Sequence, residues 1–533
     1  MKKSIKRVSL VLIVMSILLI LIGCGGNNNT QPGESNEQNK GNSDNKLNMF
    51  TYVTHSDPMV FWDPAETWAA EIIVMQNIYE SLVRIDPVDD SIIPVLATDW
   101  SRSEDGLEWR FTLREGVKFH SGKMLTPDMA ARSLKRTIEI GKGAAYIWDG
   151  VEDIIADGNE LVFKLSRPLP LLQIVSASYG AYIYDPDIER DWYYEAKADG
   201  TGPYKMMSYQ KDSEMILEKH TDYWGGWESE DRHFDVAVIK TIAESSIRRQ
   251  LILNGEVDFI QQLSVEDIEA IKDEPGISVS NVVSFQQLNA FLNTQKEPLN
   301  NKYIRQALSY MTPYQDILDH VMMGNATQAR GVIPPNLWGH GENLLQYTYD
   351  LEKAKELLAK GGYPDGGFKL LYTYTSGDTN LQKVGELLKD SFAKVNIDLE
   401  LRAMTTDAKY NLTKAQDPNE RQDITLLYWW PDNLDPVGYM DSQFHSEEEV
   451  GFNFAYYSNP EVDRLIDEAI ELSGISIEEA SQKYIEAQEI IVEEAPALFL
   501  YCENYIRPYR SDIKGYIDNP IYPNVVYFYD VYR

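Results

Sequence analysis

The chain has 533 residues, 43% of them apolar, and a formal net charge of −34. That length exceeds one ordinary core and points to two or three domains, and the charge argues against nucleic-acid binding and against docking on anionic lipid through a basic patch. There are two cysteines, Cys24 and Cys502, and no intrachain disulfide is expected.

In chain order, Lys2, Lys3, Lys6 and Arg7 precede an apolar run from Val8 to Ile22 that ends in "LIGC", residues 21–24. The run is shorter than the ~20 residues of a usual transmembrane helix. Basic start, short apolar stretch and small-residue junction are the marks of a secretory signal over residues 1–23. "LIGC" resembles the bacterial lipobox, which implies cleavage before Cys24 and a lipid on its sulfur. An uncleaved anchor is the alternative, and both place the rest of the chain outside the membrane. Residues 24–46 carry Asn, Gly, Ser and Gln with no apolar anchor. Burial cannot offset their ordering entropy, so a flexible tether is expected.

Strict alternation around "GLEWRFTLREGVKF" puts Leu107, Trp109, Phe111 and Leu113 on one face and Glu108, Arg110, Thr112 and Arg114 on the other. A half-buried strand is predicted, with Glu115-Gly116 turning into a partner strand. Thr126 then caps a helix with Pro127 at its first position. Another strand follows Asp157-Gly158, with Leu161, Phe163 and Leu165 on one side.

The second half reads differently. "GFKLLYTYTSGD" is a strand, residues 379–395 a helix with Leu381, Val384, Leu388 and Phe392 on one face, and "IDLELRAM" a strand. This βαβ unit predicts a parallel sheet. "DITLLYWW", residues 423–430, fits a strand buried on both faces as far as Tyr428. Two amphipathic helices then occupy 459–472 and 481–496, and the Tyr- and Pro-rich end can return to the first lobe. Ligands of open α/β sheets sit at the carboxyl ends of strands. "YWWPDNLDP", residues 428–436, is therefore a pocket candidate. Asp435 before Pro436 has the order of a helix cap.

Several stretches together resemble the bacterial extracellular solute-binding proteins of family 5, which serve peptide and nickel ABC importers. They are "DPAETW" (63–68), "IYESLVRID" (78–86), the segment 94–136, "GTGPYKMMSY" (200–209), "LNGEVDFI" (253–260), "NNKYIRQALSYMT" (300–312), "YDLEKAKELLAKGGYPDG" (349–366), "YYSNPEVDRLI" (456–466) and "EEAPALFLY" (493–501). The resemblance implies an α/β, two-lobed periplasmic-binding-protein fold of type II ("Venus flytrap") with an extra α+β subdomain. Residues 47–85, 200–285 and 500–533 would build the first lobe, 286–499 the second and 86–199 the subdomain.

The same resemblance implies a monomer lipid-anchored at the extracytoplasmic face of the cell membrane, delivering a peptide to an ABC permease. An oligosaccharide or a nickel or other metal complex is the alternative cargo. In the family's W-x-x-D turn, matched here by Trp429 and Asp432, the aspartate pairs with the peptide's α-ammonium; an exposed turn aspartate is the alternative for Asp432. Trp429 would line the pocket, while Trp430 faces the opposite way and is either core or ligand contact. Glu66, Thr67 and Trp68 match a cleft-facing stretch. Dipeptide-specific relatives often carry an arginine in the loop matched by "YTSGDTN", residues 374–380, which has none. That departure favours longer peptides or another solute. No enzyme motif of the G-x-S-x-G, Walker or H-E-x-x-H type occurs, and the seven histidines lack metal-ligand spacing. Neither catalysis, a cofactor nor a bound metal is expected.

Overall fold

The computed structural model describes residues 47–68, 70–227 and 233–533. The expected signal segment 1–23, the lipidated Cys24 and the tether 24–46 lie outside the described residues.

Two long strands organise the molecule. Ile277–Leu292 and Ala497–Arg510 pair antiparallel, from Ile277 with Arg510 to Phe291 with Ala497. They occupy the middle of an 11-stranded sheet. From one edge its order is Asp398–Met404, Lys369–Thr375, Ile424–Trp429, Ile277–Leu292, Ala497–Arg510, Phe259–Ile260, Met49–Thr54, Val236–Thr241, Glu214–Lys219 and Tyr204–Gln210. Ala326–Gln328 pairs with Ala497–Arg510 off this path. The register of the central pair shifts between Val283 and Gln287, between the part that serves one side of the sheet and the part that serves the other. Irregularities of this kind bend a strand and increase its twist. The result is two α/β lobes joined by continuous strands.

The predicted βαβ unit is present. Lys369–Thr375 and Asp398–Met404 are parallel neighbours joined by the helix Thr379–Ala393. Its apolar face, Leu381, Val384, Leu388 and Phe392, is buried. Asp378 caps this helix, accepting from the backbone N–H groups of Asn380 and Leu381 at 3.0 Å each.

The extra subdomain is a four-stranded antiparallel sheet in the order Ala97–Arg102, Glu108–Leu113, Glu160–Leu165, Val151–Asp157, with the helix Pro127–Ile140 packed on it. Thr126 caps that helix through the Met129 N–H, and Gly141 ends it at φ 62°. Trp109, Phe111 and Leu113 are buried as the alternation requires. Leu107 is not: it precedes the strand and is exposed. Nor does Glu115-Gly116 lead into a partner of this strand. The turn opens onto a single bridge between Lys118 and Met124, and the strand's partners are Ala97–Arg102 and Glu160–Leu165.

Candidate functional site

The strand Ile424–Trp429 begins buried and ends open. Ile424, Thr425 and Leu426 are covered, whereas Leu427, Tyr428 and Trp429 are half-buried. The expected double-sided burial therefore stops at Leu426, because beyond it the side chains face cavities rather than core. The chain then leaves the sheet and enters the helix Val437–Phe444. Asp435 Oδ1 accepts from the Val437 N–H at 2.8 Å, which is the capping role its position before Pro436 predicts.

At this carboxyl end lies a cavity of about 540 Å³. Trp429, Trp430, Asp432 and Phe452 line it from one lobe, and Trp68, Tyr146 and Tyr179 from the other side. Trp429 packs edge-on against Phe452, with ring centroids 5.0 Å apart, and its indole N–H is buried without a hydrogen-bond partner. Such a group is costly to leave unsatisfied, so a ligand acceptor fits there.

Asp432 sits at the floor. Its Oδ1 accepts from the Tyr179 hydroxyl at 2.6 Å, and its backbone carbonyl accepts from the Tyr522 hydroxyl at 2.6 Å. Tyr522 also takes the Ser178 N–H, and Trp148 donates to the Gly180 carbonyl, so the loop carrying Tyr179 is fixed on both sides. Asp432 has no ion-pair partner among the described residues. Burial pushes its pKa up to about 7. Burial thus favours the neutral form of this carboxyl, and a cation placed beside it would favour the ionised one.

The other predicted residues separate. Trp68 reaches the cavity and is 37% exposed. Thr67 is buried, its hydroxyl donating to the Pro64 carbonyl. Glu66 is turned away and borders a different surface hollow. Its carboxylate accepts from Arg190 at 2.8 and 2.9 Å, Tyr194 at 2.8 Å and Lys142 at 3.2 Å. The Arg190 contact, opposed by burial and aided by Tyr194 and Lys142, holds its pKa down at about 2. With Asp63, which pairs with Arg136, Glu66 ties this segment to the extra subdomain. Trp430 lines the main cavity and also a smaller one of about 260 Å³. That smaller cavity is bordered by Asp378 and Asn380 of the arginine-free loop, and by Arg507 of the long strand Ala497–Arg510.

Tyr146, Tyr179, Asp441, His445 and Phe452 were not legible as site residues. The first two lie in the subdomain, more than 200 residues from Asp432 in sequence, and no local pattern marks them. Asp441 carries a weak signal: it follows Pro436 on the same short helix. Among the described residues, no group of three or more His, Cys, Asp or Glu side chains is arranged to hold a metal ion.

Residues 91–450 match the model of the bacterial extracellular solute-binding proteins, family 5. The chain belongs to that family. This solute-binding protein is 28% identical over 484 residues to the probable D,D-dipeptide-binding periplasmic protein DdpA of Escherichia coli K12, covering 88% of this chain and 91% of that one. It is 27% identical over 512 residues to heme-binding protein A of Haemophilus influenzae, covering 89% and 90%. Among solved structures it is similar to the ABC transporter-associated periplasmic binding protein DppA of Helicobacter pylori in complex with the peptide STSA. There the TM-score is 0.77 at 28% identity, covering 91% of this chain and 98% of that one. The two-lobed fold is thus common to chains whose ligands differ.

Proposed function

We propose that this protein is the lipid-anchored, extracytoplasmic receptor of an ABC importer, and that it encloses a peptide whose α-ammonium rests on Asp432. The observation that carries the reading is the state of Asp432: a desolvated carboxylate without a cation, at the floor of an aromatic cleft between lobes. A ligand ammonium supplies the missing charge through short, charge-assisted hydrogen bonds. Above it, Trp429, Phe452 and Trp68 give broad apolar walls that accept varied side chains, and strand-like backbone bonding holds a peptide without reading its sequence. A relative named for D,D-dipeptide binding, and one solved with a tetrapeptide, support this substrate class. The Tyr179 to Asp432 bond joins the two sides of the cleft. A ligand that touches both sides binds the closed arrangement better and shifts the equilibrium toward it. The anchor rests on "LIGC" and Cys24.

Native mass spectrometry of protein purified without refolding tests the substrate class. A ladder of peptide masses is expected; a single sugar, heme or metal complex would overturn it. Cys24→Ala is expected to move the protein from the membrane to the soluble fraction, and unchanged membrane retention would reject the lipid anchor.

A further inference from the structure

The cleft does not end at Asp432. A second cavity of about 490 Å³ continues from it, and Tyr146, Asp432, Asp441 and Ser442 line both. Its charged lining is one-sided: Asp149, Asp432, Asp435, Asp441, Asp467 and Glu471 against Arg167. Arg167 is already committed, since its Nη2 donates to Asp149. Asp432, Asp435 and Asp441 have no ion-pair partner among the described residues. Asp435 is 4% exposed and is among the residues lining the cavity; one of its oxygens serves the helix cap.

The protein's general acidity does not account for this. Asp149, Asp467 and Glu471 are solvated surface carboxylates, stable by themselves, whereas Asp435 is withdrawn from water and Asp432 and Asp441 are half-buried, where an unpaired charge is costly. Burial raises the pKa of Asp435 to about 6. Burial also raises that of Asp441, with Asp467, Glu447 and Asp149 adding to the rise and His445 opposing it. His445 lies 3.5 Å from Asp467. Burial lowers its pKa, but the Ser446 carbonyl, Asp463, Asp441 and Asp467 outweigh that and favour its protonated form. Even with that charge in place the carboxylates outnumber the cations. Field lines in a low-dielectric hollow are focused, so the cavity selects for positive charge.

We propose that this cavity is a side-chain subsite for a basic residue, so that the preferred ligand is a peptide whose residue nearest the Asp432-bound ammonium is lysine- or arginine-like and reaches toward Asp435 and Asp441. The inference rests on the peptide reading above. The free Nη1 of Arg167, buried and without a partner, is available to a ligand carbonyl beside that side chain.

Calorimetry on ligand-stripped protein compares Lys-Ala-Ala with norleucine-Ala-Ala, which keeps the four-carbon stem and lacks the terminal ammonium. The lysine peptide is expected to bind about ten- to a hundredfold tighter, the range for a hydrogen-bonded charge. Asp441→Asn is expected to bring that ratio close to one, and Asp435→Asn, which retains a capping side chain, to reduce it. Equal affinity of the two peptides for the unmodified protein, or a ratio unchanged in both variants, overturns the subsite while leaving peptide binding standing. Failure of both peptides to bind at millimolar concentration overturns the peptide reading itself.

Discussion

Asp432→Asn removes one charge and almost no volume. In the empty cleft, burial raises the carboxyl from 3.8 to about 7. At about 1.36 kcal/mol per pKa unit, the ionised form is disfavoured by roughly 4 kcal/mol. A ligand ammonium reverses that preference, and losing one partner of such a buried pair costs about 2–5 kcal/mol of binding. At about 1.4 kcal/mol per tenfold, peptide affinity should fall roughly thirtyfold to several thousandfold. The assay is titration calorimetry at several pH values in buffers of different ionisation enthalpy. Near pH 7 about half the empty protein carries a proton on Asp432, and pairing with an ammonium expels it, so about half a proton is released per peptide. Near pH 9, where Asp432 is already ionised, release should give way to proton uptake by the peptide amine, whose ordinary pKa is about 8, and release should be absent in the variant at every pH. The same shift gives a stability signature. A carboxyl whose folded pKa is raised contributes stability that is complete below pH ~4 and lost as pH rises through about 7. Ligand-free Asp432→Asn should therefore match or exceed the unmodified protein in urea stability at pH 8. Unchanged affinity together with no buffer-dependent heat would refute the role given to Asp432.

Trp429→Ala removes the cavity wall that packs on Phe452, and should weaken peptide binding by about 1–3 kcal/mol; an affinity within twofold of the unmodified protein would show that the wall is not used. Asp63→Asn breaks the pair with Arg136, whose Asp63 side is fully buried, and should lower unfolding free energy by about 3–5 kcal/mol in urea titration. Lys409 is buried and donates to the Leu426 carbonyl at 2.9 Å; burial, opposed by Asp378, lowers its pKa to about 8. The unfolded chain then binds the extra proton between pH 8 and 10.5, so stability rises with pH across that window. Lys409→Met should abolish that rise, by up to about 3 kcal/mol, and parallel pH curves for the two proteins would exclude it.

The parts of the fold set by short-range periodicity were readable from the sequence. The βαβ unit, the Thr126 and Asp435 caps and the alternating strand Glu108–Leu113 depend on neighbours a few residues apart. The lining of the candidate cavity was half readable. Trp429 and Asp432, chosen from their place at a strand's carboxyl end and from the W-x-x-D resemblance, both line it. Glu66 misleads because its local motif is shared with cleft-facing stretches, while its surroundings are decided by Arg190 and Lys142, more than 70 residues away. Tyr179 reaches Asp432 only through the placing of a whole subdomain. Leu107 shows the same limit on a small scale: period two assigns it a face, but not whether the sheet extends far enough to cover it.

The long strand Ala497–Arg510 and the segment after it also set an order of events. Phe528 packs on Phe50 and Tyr204, its N–H donates to Asn77 Oδ1, and Asn77 in turn donates to the Val526 carbonyl. Tyr52 donates to the carbonyl of Asn524. The core of the earliest-made lobe is therefore complete only once residues 524–528 are available to it. Contacts this distant in sequence form late and slowly. For a chain that is exported, a first lobe that is slow to close is useful, because an incompletely packed segment stays threadable. Removing the final fifteen residues should leave the N-terminal lobe protease-sensitive rather than merely shorten the protein.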